Sequence, residues 1–457
     1  MTHSLVNSHQ KCSVMVNDGS GVLIQPMTPA YAYVLTAKHC IQKIGEDINN
    51  LQEKEAISIT CFEETNLEVL EIVFDRNIDI AILIVKPQLE LNLSVNNKSL
   101  KVNDLVRLSG YPQDRRGFDQ KYSSFIFKFQ EQRNKEVIFL PDAAVSQSNI
   151  VGFSGGGLFT INEYNEETLL CAVETKMDGD TSLEFHGQIS AVSISSYSKL
   201  IEENTYLNEP LAPLLPLHLS SFEHLLDLIF DVVRSWIDDR RLDLVKACLR
   251  EVASTNVIEV NITPFEILSK FKNLLKVYNR PDDELTSKGM WSSFLELLVV
   301  SILIDKPIEV NLAYIDNMLK SRRLTYIGET GGWMEYLNEI LQSDLDALNK
   351  NAIIIASTLA SPRKTSLSSE ELKKVWASRD ISKPLTETRS IIRVNKQISE
   401  IHSVVDLSAL HADCIECKET EYVGCTDVSD YQRSVLESKL AQEYGIFLDI
   451  KEVVDEN

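Results

Sequence analysis

The hydrophobic pattern of this chain changes period near residues 206–217, and that change limits its architecture more than any other feature. Before it, short runs rich in β-branched and aromatic residues recur between turn signals, over 22–25, 32–37, 57–62, 80–85, 105–110, 124–129, 169–176 and 189–194. Runs of that length and composition predict an all-β barrel or sandwich. Glu209, Pro210, Pro213 and Pro216 then mark a linker. After it, Phe222, Leu225, Leu226, Ile229, Phe230 and Val233 recur at three- and four-residue steps, which predicts an amphipathic helix. Further helices are expected over 239–254, 264–277, 290–304, 312–320, 332–348 and 369–377, with a last one over 431–444. Ser368 and Glu371 match a capping box ahead of 369–377. No fixed-period repeat occurs.

At 457 residues the chain is long enough for two or three domains. The expected divisions are a β domain over 1–205, a linker over 206–217, an α-helical regulatory or assembly domain over 218–380, and a C-terminal helical segment over 381–457. A net charge of −22 and a pI near 4.9 argue against a phosphate-binding surface, which needs clustered Lys and Arg. Arg240-Arg241 and Arg322-Arg323 read as solvated helix faces. Nucleic acid is therefore not an expected partner.

Three short stretches carry chemistry: TAKHC (36–40), NIDIAIL (77–83) and GFSGGGLF (152–159). They present His39, Asp79 and Ser154 in the chain order His, Asp, Ser. A serine hydroxyl becomes a nucleophile when a neutral imidazole takes its proton, and a buried carboxylate fixes that imidazole's tautomer. Ser154 would attack, His39 would serve as base and then acid, and Asp79 would orient His39. Gly152 allows its own N–H and that of Ser154 to converge as an oxyanion hole. A lone G-x-S-x-G also describes an unrelated hydrolase elbow, so the weight rests on the combination.

With GSGVLI (19–24) and YVLTAKHC (33–40) added, residues 1–205 resemble the trypsin/chymotrypsin-like serine peptidases. The resemblance implies two six-stranded barrels meeting at a cleft, His and Asp from the first and Ser from the second, closed by a helix near 196–203. It gives the whole chain as a chymotrypsin-like double β-barrel followed by a mainly α-helical domain. It implies a serine endopeptidase acting on a protein substrate, with no cofactor for catalysis. It also places Ser148 near the floor of the primary pocket, and Glu174, Thr175 and Lys176 on the strand that pairs with substrate. Asp178, Asp180 and Glu184 follow in a loop that either attracts a basic substrate side chain or is simply a solvated acidic face, the second being the expected one.

The chain departs from secreted relatives in two respects. Those that are switched on by N-terminal cleavage carry an Asp before the nucleophile to pair with the new amine, and here that residue is Phe153. No activation sequence precedes His39 either, so control by a protein partner is expected instead. Secreted relatives also pair the Cys after the catalytic His with an upstream Cys, and Asp18-Gly19-Ser20-Gly21 offers none. With no visible signal peptide and no apolar run long enough for a membrane span, the expectation is reduced thiols, a cytoplasmic setting and no membrane.

No phosphate-binding Walker A loop occurs. Near the C-terminus, His411, Cys414, Cys417 and Cys425 form H-x2-C-x2-C-x7-C, a spacing that could close a structural zinc site or remain a reduced cysteine cluster. A trypsin-like domain joined to a helical module also resembles proteins of bacterial antiphage systems. Two rival readings remain: a catalytically silent barrel that binds a peptide as an adaptor, and a housekeeping quality-control protease, which the helical second half disfavours.

Overall fold

The computed structural model describes residues 10–449, apart from 63, 90, 92, 96–99, 118–120, 134, 144–149, 161–168, 178–186, 233–235, 360–365, 378–400 and 427–431. It divides into two units, Met1–Leu217 and His218–Asn457.

The first unit is built from antiparallel strands whose buried faces are Val, Ile, Leu and Phe. β1 (Ser13–Val16), β2 (Gly19–Ile24), β3 (Ala32–Thr36), β4 (Ile59–Cys61), β5 (Asn66–Leu67), β6 (Val69–Phe74) and β7 (Ala81–Val85) form one sheet in the order β5-β4-β1-β2-β3-β7-β6. It curls around Val14, Val16, Val34, Leu83 and their neighbours. The second sheet contains β8 (Ser94–Val95), β9 (Leu105–Gly110), β10 (Ser123–Arg133), β11 (Glu136–Pro141), β12 (Gly157–Thr160), β13 (Leu169–Met177) and β14 (Ile189–Ser193). It runs β12-β9-β10-β11-β14-β13, and β13 pairs back onto β12, which closes a barrel and removes its edges. Helix α1 (Ile194–Glu202) follows, capped by the Ser193 hydroxyl on the Ser195 N–H. A second cluster, including Tyr33, Ile82, Phe159, Val173 and Tyr197, joins the two barrels and the helix. The double β-barrel expected from the sequence is present.

The second unit is mainly helical. Its helices are α2 (Asp239–Ala253), α3 (Pro264–Leu275), α4 (Lys288–Asp305), α5 (Leu312–Ser321), α6 (Leu337–Gln342), α7 (Ser369–Ala377), α8 (Leu407–Cys414) and α9 (Arg433–Leu448). Thr263 and Glu266 make a reciprocal capping box that starts α3. Ser368 and Glu371 bond reciprocally ahead of α7. Most of α4 is buried on every side.

Three sequence expectations fail here. The stripe from Phe222 to Phe230 does not form an α-helix: a 3-10 turn covers Phe222–Leu228 and the chain turns away at Phe230, whose φ is +53°, while Val233 lies outside the described residues. The apolar spacing there reflects burial of Phe222, Leu225, Ile229 and Phe230 rather than a continuous helix. The helix expected over 332–348 is shorter, a 3-10 turn and then α6, ending before Ser343. The second unit also contains a sheet, made of Arg322–Ile327, Ala352–Thr358, Ile401–Asp406 and Ser366–Ser368, the first three parallel. Arg322 and Arg323 therefore lie buried in a strand, not on a solvated helix face. Arg322 is held by both Asp305 oxygens at 2.7 and 2.8 Å. Arg323 is held by the carbonyls of Leu319, Leu274 and Asp344. The boundary expected at 380/381 lies outside the described residues.

Candidate active site

His39 follows β3 in a one-turn 3-10 helix, Lys38–Ile41. Asp79 stands in the turn between β6 and β7. The Asp75 carboxylate shapes that turn by accepting from the N–H groups of Asn77 and Ile78 at 2.7 and 2.9 Å. Lys38 is buried, and its ammonium donates to the Asp75 carbonyl at 2.7 Å and to Asn49 Oδ1 at 2.8 Å. The turns bearing His39 and Asp79 are thereby fastened to each other.

His39 Nδ1 lies 2.7 Å from Asp79 Oδ2, and the His39 backbone N–H donates to Asp79 Oδ1 at 3.0 Å. Both side chains are part-buried. Burial opposes the charge on each, but the hydrogen bond and mutual attraction outweigh it. Asp79 is held below the usual carboxylate range, and His39 is raised above the usual imidazole value. With Nδ1 committed to Asp79, Nε2 is the ring nitrogen left for proton transfer.

Ser154 lies on the turn before β12 and is part-buried. That turn is locked to the first barrel. The Ser154 carbonyl accepts from Ser20 N–H at 2.7 Å and from Cys40 Sγ at 3.2 Å, so it meets the residue next to His39. The Ser20 hydroxyl donates to the Gly152 carbonyl at 2.8 Å. Gly155 has φ +88°, and a Cβ there would stand 1.9 Å from the Ser20 carbonyl oxygen, so only glycine fits. Gly152 has φ +97°. Neither its N–H nor that of Ser154 donates to a backbone carbonyl among the described residues. Phe153 is fully buried, packed on Phe125 at 5.7 Å between ring centres, within the core of the second barrel.

β13 runs beside this turn. Its pairing with β12 ends at Val173. Glu174 then donates to the Gly156 carbonyl at 2.9 Å and accepts from Gly155 N–H at 2.8 Å. Beyond that point, among the described residues, β13 pairs with β14 alone. Thr175 is buried with its hydroxyl on the Ser190 carbonyl, and Lys176 is exposed beside Glu136. Ser148 and the acidic loop with Asp178, Asp180 and Glu184 lie outside the described residues.

The Glu174 side chain was missed as a site group, because the resemblance assigned this position only a backbone role. It is 1% exposed, and the Ser154 hydroxyl, His39 and Asp79 act on its carboxyl. The available signal was one acid directly after the apolar stretch LLCAV of the strand LLCAVETKM. A separate cleft of about 380 Å³ on the first barrel, lined by Leu23, Phe62, Pro87 and Leu91, includes none of these groups.

The four C-terminal His and Cys residues are not gathered as metal ligands. His411 Nδ1 is bonded to the Tyr444 hydroxyl at 2.7 Å, and Nε2 faces Glu296 at 3.4 Å. Cys414 is buried against the Glu443 carbonyl, Cys417 is exposed and Cys425 part-buried. Among the described residues, no three His, Cys, Asp or Glu side chains form a group suited to a metal. The eight cysteines are free thiols. No helix among the described residues is long and apolar enough to cross a membrane.

No curated protein matches the chain by sequence. Among solved structures, kallikrein-related peptidase 10 in complex with Zn2+ is 14% identical over 43% of this chain and 96% of its own, with a TM-score of 0.32. The Rv3671c protease in its inactive form is 15% identical over 44% of this chain and 93% of its own, with the same TM-score of 0.32. Residues 191–416 match the family described as C-terminal domain 4 of the ABC-three component (ABC-3C) systems.

Proposed function

We propose that this chain is a serine endopeptidase that cleaves a protein substrate, works in the cytoplasm as one component of an antiphage system, and is controlled by a protein partner through its C-terminal half. The observation that supports this most is the doubly bonded His39–Asp79 pair beside a turn that carries Ser154 and ties its carbonyl to Cys40. In this reading His39 Nε2 takes the Ser154 proton as Oγ attacks the scissile carbonyl. The proton passes to the leaving amine, and water then hydrolyses the acyl-enzyme by the reverse sequence. Asp79 carries the charge that steadies the imidazolium. The N–H groups of Gly152 and Ser154 receive the oxyanion.

The free side of β13 at Thr175 and Lys176 takes the substrate as an added strand. Burial of Phe153 sets the nucleophile turn without a new N-terminus, so a partner restrains access rather than building the site. The match of residues 191–416 to a domain of a multi-component system supports such a partner.

The test is labelling of the full chain by a fluorophosphonate probe, alongside Ser154→Ala and with or without the proteins encoded beside it. Labelling of the lone wild-type chain, lost in the variant, is the expected result. Labelling only in a partner's presence would make the partner an activator. No labelling under any condition would favour the peptide-binding adaptor.

A further inference from the structure

Glu174 is carried to the nucleophile by its own backbone, since both its N–H and its carbonyl bond to the turn that bears Ser154. The side chain is enclosed. One carboxyl oxygen, Oε2, has no hydrogen-bond partner among the described residues, and the Ser154 hydroxyl is one of the groups acting on the carboxyl. The charged groups acting on it are His39 and Asp79 of the first barrel. Tyr197, from the helix packed on β13, has its hydroxyl committed to the Thr36 carbonyl. The opposing position on β14 is the apolar Ala191. Lys176, further along β13, is exposed and turned to Glu136.

A buried carboxylate without a bonded cation is strongly disfavoured. Burial accordingly pushes Glu174 up to about 8, against the pull of His39 and the Ser154 hydrogen bond, with Asp79 adding to the rise. The two protonation states give Ser154 opposite partners. A neutral carboxyl owns a proton and can donate it, whereas a carboxylate only accepts.

We propose, building on the peptidase reading, that Glu174 is a positioning residue for Ser154. Neutral, it donates to Ser154 Oγ and leaves the serine proton for His39; ionised, it takes the serine O–H for itself and silences the nucleophile. The negative charge also holds His39 as the imidazolium, which cannot act as base.

The experiment compares fluorophosphonate labelling rates of the full chain, wild type and Glu174→Gln, between about pH 6 and about pH 10. Glutamine keeps a donor for Ser154 Oγ and cannot ionise. While Glu174 is neutral, His39 meets an uncharged residue in both proteins, so its own titration cancels in the ratio of wild-type to variant rates at low pH. The ratio is expected to be flat at low pH and to fall about tenfold per pH unit above the Glu174 midpoint. A ratio flat at every pH overturns the proposal, because a merely structural role would change it uniformly.

A second measurement does not depend on activity or on the variant folding. The His39 ring resonances are titrated by NMR in the wild type and in Ser154→Ala. A second step from Glu174 ionisation, moved to higher pH once the serine hydroxyl is gone, is expected. The absence of that step, or identical steps in both proteins, overturns the proposal. If nothing is labelled at any pH, the peptidase reading fails by itself, and the ring titration still decides the role of Glu174.

Discussion

Replacing Glu174 by Gln should flatten the pH dependence of the first unit's stability, and the size of the effect follows from burial. The group titrates near 4.5 when solvated and is pushed up to about 8 in the fold. The sign is that of an acid raised on folding. The native state binds the extra proton, so the contribution is fully present below about pH 4.5 and is lost as pH rises to about 8. Each pH unit in that window costs about 1.4 kcal/mol, which accumulates to about 5 kcal/mol. That rivals the whole stability of a typical domain, about 5–15 kcal/mol. The wild type is therefore expected to weaken steeply relative to Glu174→Gln across this window, with the difference constant above it. His39 and Asp79 are retained in both proteins, so the difference reports Glu174 together with its coupling to that pair. The four tryptophans lie at 236, 291, 333 and 376, outside the first unit, so their fluorescence does not report on it. Urea unfolding followed by pulse proteolysis, with the surviving N-terminal fragment quantified by mass spectrometry, does. Parallel stability curves for the two proteins would refute the argument and mean that water or a cation reaches the carboxyl.

Other outcomes follow from the same contacts. Asp79→Asn keeps the fold but offers His39 the wrong tautomer, so probe labelling should fall by about 10³–10⁴-fold at neutral pH. Gly155→Ala forces a Cβ into the Ser20 carbonyl at positive φ, so it should cost about 3 kcal/mol or more and abolish labelling. Gly45→Ala, at φ +79° but with nothing within 4 Å, should cost only about 1 kcal/mol. Urea melts of the two variants test that contrast. Asp305→Ala strands the buried Arg322 guanidinium and should cost the second unit about 3 kcal/mol, read by its tryptophan fluorescence.

The first unit was legible because its information is local. Short runs of β-branched and aromatic residues, the residues His39, Asp79 and Ser154, and the glycines around the nucleophile are each visible in a few letters. Strand β12 escaped because its glycine belongs to the nucleophile motif and weakens the strand signal. The second unit was harder. Its strand Ala352–Thr358 is buried along its full length, and a fully buried parallel strand shows no alternation to separate it from a short buried helix. Arg322 and Arg323 misled because charge suggests solvent. Asp305 and the carbonyls of Asp344 and Leu274 lie 17, 21 and 49 positions away along the chain, which spacing does not reveal. The role of Glu174 was hidden for a related reason, since nothing local says that a strand residue faces a serine 20 positions earlier.

Phe153 has a consequence for how this molecule can be switched off. Where an ion pair holds the nucleophile turn, the turn can be released while the barrel stands, giving a folded but unassembled form. Here the residue before Ser154 is part of the barrel's own core with Phe125, Phe127 and Phe139. Freeing that turn means opening a cavity the size of a phenyl ring, so turn and barrel share one cooperative transition. Heat or denaturant would remove both in a single step, and any reversible silencing must act without releasing that turn.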